Sequence, residues 1–379
     1  MIDSLPTSSL RPDTTAVVEA SPPRPTESAF WREALLGYAK PRRLRSIADV
    51  LTSLVAYLVM CVAMYGALRV SPVLALGLAP VAAVFLLRTY IVFHDCSHGS
   101  FLESRRGNVW LGRFCGLLVL SPFVRWRHDH AVHHATSGDL DKRGVGDIPT
   151  LTVAEYHGRR WRGRMAYRLI RNPIVMFGLG PVFAMVIGPR LVARNARRRA
   201  RNSVISTDVA LAAIAAGLIW LIGVRDLLIV WAPAAFLAGA VGIWLFYAQH
   251  QFEEAYWQRA ADWSFPDAAL RGSSFLKLPR PLQFATGNIG YHHIHHLSSR
   301  IPNYNLQRAH EQLKMFQDVP TLGLWDGLRA VRLKLWDEHE GRLVTFAQAR
   351  ARSAAGVCAT ASAASGSVSA GRTPAEART

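Results

Sequence analysis

Two pairs of long apolar runs constrain this chain more than any other feature. Residues 48–68 and 73–93 are separated only by residues 69–72, and residues 207–224 and 227–247 only by Arg225 and Asp226. A helix of about 20 predominantly apolar residues crosses the hydrocarbon core of a bilayer. The sequence therefore predicts an all-α integral membrane fold with four transmembrane helices in two hairpins. A content of 50% hydrophobic and 18% charged residues agrees with this class of protein.

Clusters of basic residues precede both hairpins and predict their orientation. The first cluster is Arg32, Lys40, Arg42, Arg43 and Arg45, and the second is Arg190, Arg194, Arg197, Arg198, Arg199 and Arg201. Because cytoplasmic loops carry the excess of Lys and Arg, both hairpins should begin and end in the cytoplasm. The net charge of +18 is therefore expected to meet anionic lipid headgroups. It does not suggest nucleic acid, since the basic residues bunch beside apolar segments.

Two shorter apolar runs, residues 109–124 and 173–187, have a length that suits an interfacial or re-entrant helix as well as a span. If the histidine clusters described below meet on one side, neither run can cross alone, because each crossing would move the next cluster to the opposite face. We therefore predict in-plane or re-entrant helices for both. Gly178, Gly180 and Pro181 fit a bend in the second.

Composition divides the remaining chain. Residues 1–28 are rich in Ser, Thr and Pro, and residues 349–379 repeat small and polar residues without apolar periodicity. Such segments contain too little apolar surface for its burial to offset the conformational entropy lost on folding. We therefore predict a disordered N-terminal arm and a disordered C-terminal tail. Residues 29–348 form the predicted membrane domain, in which residues 251–348 are expected to form a cytoplasmic cap. The four cysteines form no CxxC pair and predict no disulfide framework.

Ten of the 14 histidines fall in four places. These are His94 and His98, then His130, His133 and His134, then His250, and finally His292, His293, His295 and His296. Side chains at i, i+3 and i+4 share one face of a helix, so HxxxH and HxxHH each present several imidazoles to one point. One tetrahedral zinc takes four ligands, whereas two adjacent metals could use about eight to ten. The spacing predicts a dinuclear site and leaves iron, copper, nickel and zinc open.

Several neighbouring residues keep two interpretations each. His250 alone at a membrane interface is by default a hydrogen-bonded or snorkelling side chain. His128 and His293 lie off the ligand spacing, which favours peripheral or surface roles. The four nearby acids either orient imidazoles through the second ring nitrogen or are ordinary loop acids; they are Asp95, Asp139, Asp141 and Asp147.

The three histidine boxes read HDCSH from His94, HAVHH from His130 and GNIGYHHIHHLSSRIPNYNL from Gly287. In form and order they resemble the membrane fatty acid desaturase family, and the resemblance runs from Arg42 to Phe346. The third box is particularly similar to bacterial acyl-lipid desaturases of the omega-6, or delta-12, type. The resemblance implies four spans, a cytoplasmic cap and a bacterial inner-membrane location. It also implies two irons held by nine histidines, namely His94, His98, His130, His133, His134, His250, His292, His295 and His296.

The same resemblance implies the reaction. The di-iron centre would use O2 to remove two hydrogens from neighbouring carbons of a lipid acyl chain. No flavin or NAD glycine fingerprint follows a strand, so electrons should come from a separate ferredoxin or b5-type protein. The basic residues Lys277, Arg280, Arg300 and Arg308 could dock that donor or belong to an ordinary solvated face. Some family members carry an asparagine four residues before His250, where it reaches one metal through water; Phe246 occupies that position here, and Gln249 is a conceivable substitute.

Two other functions compete with desaturation. A membrane hydroxylase or carotenoid ketolase would use the same histidines for oxygen insertion, although the flanks of the third box favour desaturation. A non-enzymatic metal-binding protein or transporter would need polar residues along a path through the membrane, for which Arg88 is the main candidate. Trp244, Tyr247, Phe252 and Trp257 could line an acyl tunnel or anchor the protein at the interface. Double-bond position, acyl carrier and oligomeric state have no signal in the sequence.

Overall fold

The structure, a computed structural model, describes residues 30–192 and 196–352. The predicted N-terminal arm, Arg194 and most of the predicted tail lie outside these residues. The helices are α1 (Phe30–Leu35), α2 (Arg43–Leu68), α3 (Pro72–His98), α4 (Arg105–Leu118), α5 (Phe123–Thr136), α6 (Val153–Gly158), α7 (Trp161–Ile170), α8 (Val175–Arg190), α9 (Arg198–Ile222), α10 (Val224–His250), α11 (Phe265–Arg271), α12 (Arg280–Ala285), α13 (His292–Leu297), α14 (Asn303–Gln312) and α15 (Leu324–Ala330). The strands are β1 (Leu151–Thr152), β2 (Phe275–Leu276), β3 (Thr321–Leu322), β4 (Leu335–Asp337) and β5 (Arg342–Val344). A further helical turn covers residues 346–352.

Four helices, α2, α3, α9 and α10, are long and apolar enough to cross a membrane. Helices α2, α3 and α10 contain their predicted spans and extend beyond them; α3 continues because nothing in the sequence stops it before Gly99. At that glycine the backbone turns to a φ of +68° and ends the helix. The side chain of Ser71 caps the other end by accepting from the backbone N–H of Val73. The extensions carry His94, His98 and His250 on the last turns of long helices. Helix α9 begins before its predicted span but ends at Ile222, because the chain turns at Gly223, where φ is +81°, and Val224 already belongs to α10.

The two shorter apolar runs belong to bent pairs of helices. Between α4 and α5 the chain turns by 99°, and between α7 and α8 by 57°. The second bend lies between Ile170 and Val175, beside Pro173, and not at the predicted glycines. Around Gly180 and Pro181 the helix continues, with wider π-type turns on either side. The bend predicted at Gly178, Gly180 and Pro181 is therefore wrong, and the helix breaks several residues earlier, beside Pro173.

Helix α3 lies at the centre of the bundle and packs against α2, α4 and α10. Ala79 and Ala82 of α3 are fully buried against Met64 of α2 and Ala234 of α10. Small side chains let the helix axes approach closely, which is how helices associate where water does not drive them together. By contrast, α9 leaves its most apolar stretch exposed, as expected of a surface that faces lipid.

Residues 251–352 form a compact layer over the ends of α3 and α10. Within it β4 pairs antiparallel with β5, and β2 pairs in parallel with β3. Strand β1, from the segment after α5, joins the edge of β4 in parallel. Helix α1 joins this layer, because Trp31 and Leu35 pack against Ile294 and Phe316. This apolar cluster fixes α13, the helix that carries the third histidine box.

Candidate metal centre

Four helices bring the predicted histidines to one place. His94 and His98 lie near the end of α3, His250 is the last residue of α10, and α5 and α13 carry the rest. Helix α5 reaches α3 because the 99° bend folds it back, and this bend needs Gly112. A Cβ at residue 112 would lie 2.2 Å from the ring of Phe123. The bend thus depends on a glycine that allows two helices to touch.

The nine histidines form two groups, and within each group one nitrogen of every imidazole lies within 4.8 Å of the others. The five-histidine group consists of His94, His98, His130, His134 and His295, and the four-histidine group of His133, His250, His292 and His296. The groups adjoin, since the rings of His134 and His296 stack with centroids 4.2 Å apart. Each of the nine residues that the resemblance implies as a ligand therefore lies in one of the groups.

The donor atoms in both groups are arranged for metals. The Nε2 atoms of His134 and His295 lie 2.9 Å apart, and so do those of His250 and His292. Among the described residues, four other buried Nε2 atoms have no hydrogen-bond partner; they belong to His94, His98, His133 and His296. A buried nitrogen without a partner is costly, and a metal ion would remove that cost by accepting its lone pair. The two groups, of five and four imidazoles, offer enough nitrogens for two metal ions.

The charge state of the third box also suits metal binding. Burial holds the pKa of His295 well below its usual range, and the neighbouring His94 and His134 lower it further. The pKa of His296 is lowered in the same way by burial and then by His134. These imidazoles are therefore neutral at pH 7. Neutral imidazole is the form that coordinates a metal.

Two of the four acids considered from the sequence orient an imidazole. Asp95 Oδ1 lies 2.9 Å from Nδ1 of His94, and Asp147 Oδ1 lies 2.6 Å from Nδ1 of His133. A carboxylate that accepts from Nδ1–H leaves Nε2 free for a metal and fixes the ring. Asp139 instead pairs with Lys142, and Asp141 pairs with Arg259. These two are structural loop acids.

The remaining candidates lie outside the two histidine groups. His128 is largely exposed beside Asp129. His293 is fully buried, which contradicts a surface role, and its ring packs between those of His310 and Phe316. Its side chain thus points away from the centre, since it lies one residue off the ligand positions of α13.

The ring of Phe246 covers one side of the four-histidine group. Its centroid lies 5.2 Å from that of His133 and 4.9 Å from that of His250. Gln249 does not replace the missing asparagine through its amide nitrogen, which donates to the backbone carbonyl of Ile289 at 2.8 Å. The four-histidine group therefore contacts the apolar ring of Phe246 at the position where some family members carry an asparagine.

A cavity of about 930 Å³ extends from the centre and is lined by His94, His130 and His292. Most of its remaining lining is apolar, as is usual for sites that bind small hydrophobic molecules. Of the four aromatic residues considered as tunnel lining, Tyr247 faces this cavity, whereas Trp244 donates its indole N–H to Gly327. Tyr247 is thus the member of that set with a position suited to substrate contact.

One wall of this cavity was not foreseen from the sequence. It is formed by α8 and the end of α7, through Ile170, Val175, Met176, Leu179 and Phe183. The only sequence signal was the second short apolar run, which has the length of a buried helix but does not say what it covers. Trp126 of α5 was also missed, and its ring stacks on His130 with centroids 4.3 Å apart.

Comparison with known proteins agrees with this site. Residues 71–324 match the family model of the fatty acid desaturases. The chain is 44% identical over 309 residues to a fatty acid desaturase of Bacillus subtilis, covering 82% of this chain and 88% of the relative. It is 31% identical over 244 residues to the sn-1 oleoyl-lipid 12-desaturase of Synechocystis, covering 60% of this chain and 65% of the relative. A second Synechocystis relative, an sn-1 acyl-lipid omega-3 desaturase (ferredoxin), is 31% identical over 240 residues, covering 59% of this chain and 63% of the relative.

The family match spans more than half of the chain, and the Bacillus subtilis relative aligns with most of both proteins. The relatives that carry an activity in their names are desaturases, which are oxidoreductases. The resemblance inferred from the three histidine boxes is thereby confirmed. This chain belongs to the fatty acid desaturase family.

Proposed function

We propose that this chain is an O2-dependent di-iron desaturase that introduces a double bond into the acyl chain of a membrane lipid. The observation that carries the proposal is the pair of histidine groups beside a large apolar cavity in a chain of this family. The nine histidines would hold two irons. Bound iron would supply the O2-dependent oxidation of an unactivated C–H bond, which no side chain can perform.

The residues around the centre would position the metals and the substrate. Asp95 and Asp147 hold the rings of His94 and His133, so that one nitrogen of each faces its group. The cavity wall, which includes Ile91 of α3, would hold an acyl chain beside the histidines and keep water away from the carbon that reacts. Water exclusion matters because the oxidant must meet the C–H bond and not solvent.

The arrangement of the hairpins supports a cytoplasmic site. Helices α3 and α10 end at His98 and His250, whose imidazoles lie in adjoining groups, so both hairpins end on one side. Basic residues precede α2 and α9 on that same side, and the positive-inside tendency makes it the cytoplasmic one. We assign the chain to a bacterial inner membrane, with residues 251–352 as the cap.

A separate protein would deliver the electrons. One relative is named as a ferredoxin-dependent desaturase. The cap exposes four basic side chains, Lys277, Arg280, Arg300 and Arg308. A donor with an acidic docking face, of the ferredoxin or b5 type, would be attracted by this charge, which raises the rate of encounter more than the affinity.

The rival metal transporter loses its main support. Arg88 is buried and forms an ion pair with Asp49 instead of facing a path through the membrane. A lipid hydroxylase or ketolase would use the same histidines, so only the product separates it from a desaturase.

The test is expression of the chain with a matched electron donor in a bacterial host of known lipid profile. Gas chromatography with mass spectrometry of the fatty acids should reveal a new double bond. His130→Ala should abolish it, while His128→Ala should retain it, since the exposed ring of His128 lies outside both groups. A hydroxylated product would contradict desaturation. An unchanged lipid profile from a protein that binds one zinc would contradict the oxidase as a whole.

A further inference from the structure

A buried chain of hydrogen bonds leads from the five-histidine group into the first two candidate spans. The Nδ1–H of His94 donates to Oδ1 of Asp95 at 2.9 Å, and the backbone N–H of Asn303 donates to Oδ2 of the same carboxylate at 2.7 Å. Both oxygens of Asp95 are thus engaged. A carboxylate held from two sides has a fixed plane, and it therefore fixes the ring that donates to it.

Asn303 is itself held from the membrane side. Its side-chain Nδ2–H donates to Oδ2 of Asp49 on α2 at 2.8 Å. The other carboxylate oxygen of Asp49 accepts from Nη2 of Arg88 at 2.5 Å. Asn303 is 2% exposed and Asp49 9% exposed, so these bonds are little weakened by water.

Arg88 is anchored firmly enough to serve as the fixed end. Its guanidinium donates to the backbone carbonyl and the hydroxyl of Thr52 at 3.2 and 3.1 Å, and to the carbonyl of Phe284. The guanidinium also lies 3.9 Å from the centroid of the Phe284 ring. Arginine suits this task because its planar fork forms several bonds in set directions.

We infer that Asn303 is a positioning residue for the metal centre, which ties the Asp95 carboxylate and thus the ring of His94 to the Asp49–Arg88 ion pair. The inference rests on the proposed metal centre and adds a role for three residues that are not among the nine histidines. In this inference, Arg88 and Asp49 help to orient the ring of His94. They do not form part of a transport path, and their role is not limited to stabilising the helix bundle.

The adjacent residue provides a matched control. The hydroxyl of Tyr304 also fastens α14 to α2, since it lies 3.0 Å from Oγ of Ser46 and accepts from the backbone N–H of Arg42 at 3.1 Å. It makes no bond to Asp95 or Asp49. Asn303→Ala and Tyr304→Phe therefore each remove a side-chain link between the same two helices. Only the first separates Asp95 and His94 from the Asp49–Arg88 ion pair, because it removes the amide that donates to Asp49, while the backbone N–H of residue 303 still donates to Asp95.

The experiment is an anaerobic titration of chelator-stripped protein in lipid nanodiscs with ⁵⁷Fe²⁺. Wild-type protein should bind two irons. Asn303→Ala should weaken one of them by about tenfold, the lower end of the range for losing a ligand's outer support, because the backbone bond to Asp95 remains. It should change the Mössbauer signal of that iron alone, because His94 belongs to one group. Tyr304→Phe should bind both irons as the wild type does. Asn303→Ser, a milder change whose hydroxyl is one bond shorter, should give a smaller effect of the same kind.

The possible outcomes distinguish failure of the proposed metal centre from failure of the positioning role of Asn303. If wild-type protein binds no iron, the metal centre itself is wrong. If wild-type protein binds two irons and Asn303→Ala and Asn303→Ser match it in affinity and spectrum, only the positioning role is wrong. An equal loss in Tyr304→Phe would also overturn that role, because docking of α14 would then explain the effect. In the double variant, Asp49→Asn should add little to the loss of iron affinity that Asn303→Ala causes, since both changes affect the same bond between Asn303 and Asp49.

Discussion

The Nδ1 atom of His133 lies 2.6 Å from Oδ1 of Asp147, which comes 14 residues later in the chain. This contact places an acid from the loop after α5 behind an imidazole of the four-histidine group. Asp141, six residues before Asp147, pairs instead with Arg259 at the protein surface. The two acids look alike in the sequence, and only the fold distinguishes the one that supports the centre.

Removal of the Asp147 carboxylate should weaken iron binding at the metal centre. In Asp147→Asn the amide replaces a charged acceptor, so the His133 ring loses its fixed tautomer. We expect a loss of iron affinity of about 10–100-fold at one of the two irons. Asp141→Asn should leave iron binding unchanged. Equal iron affinity of the two variants in a chelator competition assay would contradict the role of Asp147.

The small size of Gly242 should leave room in the cavity for long acyl chains. This glycine lines the cavity, and a Cβ there would meet only Leu87 Cδ1, at 3.9 Å. Gly242→Leu should therefore fold but fill part of the cavity. We expect it to reduce conversion of the longest acyl chains at least tenfold relative to shorter ones, as measured by gas chromatography of host lipids.

Gly217→Leu is the control for this change, because Gly217 is exposed on α9 and a Cβ added there would meet nothing within 4 Å. It should keep the wild-type product profile. The same profile in Gly242→Leu would show that the acyl chain does not occupy this cavity.

The bend that carries α5 should depend on Gly112. A Cβ there would lie 2.2 Å from Cε2 of Phe123, closer than a contact between carbon atoms allows. Gly112→Ala should destabilise the protein by about 1–3 kcal/mol, a typical cost of overpacking. Gly77→Ala, at a helical position with nothing within 4 Å, should not lower the melting temperature. A thermal scan that finds both variants as stable as wild type would contradict the tight packing at the bend.

Lys334 should make stability depend on pH. Burial, and then the nearby Arg171, lower the pKa of Lys334 from 10.5 to about 7. In the unfolded chain the amine stays protonated up to about pH 10.4, so between about pH 7 and 10 unfolding takes up a proton and stability from this group rises with pH. Lys334→Met lacks this dependence.

The difference in melting temperature between wild type and Lys334→Met should therefore shift in favour of wild type as the pH rises from about 7 to 10. Scans in one detergent at several pH values measure it. A difference that stays constant over this range would mean that the amine is not perturbed.

The sequence predicts the local parts of this structure well. Helix length and apolarity depend on short stretches of chain, so the four long helices fall where the apolar runs predict them. The i, i+4 spacing likewise puts His130 and His134 in one group. His133 joins the other group, because neighbouring positions on a helix point about 100° apart.

The remaining features depend on how distant elements meet. His295 completes the group of His94, while its neighbour His296 completes that of His250. This division follows from the direction in which α13 enters the site, which the apolar cluster around Ile294 fixes. The cavity wall of α8 and the link from Asn303 to Asp49 are tertiary in the same sense. The apolar run of α8 predicts a helix but not what it covers, and nothing in the sequence around Asn303 predicts Asp49 as its partner.

The most direct test of the central claim is the iron content of wild-type protein and of one variant from each histidine group. After anaerobic loading and desalting, elemental analysis should find two irons per wild-type chain and two in His128→Ala. His98→Ala and His296→Ala should each retain one iron, with different Mössbauer parameters, because they disrupt different groups. Wild-type protein with a single metal, or two variants that lose the same iron, would contradict a centre of two metals held by these nine histidines.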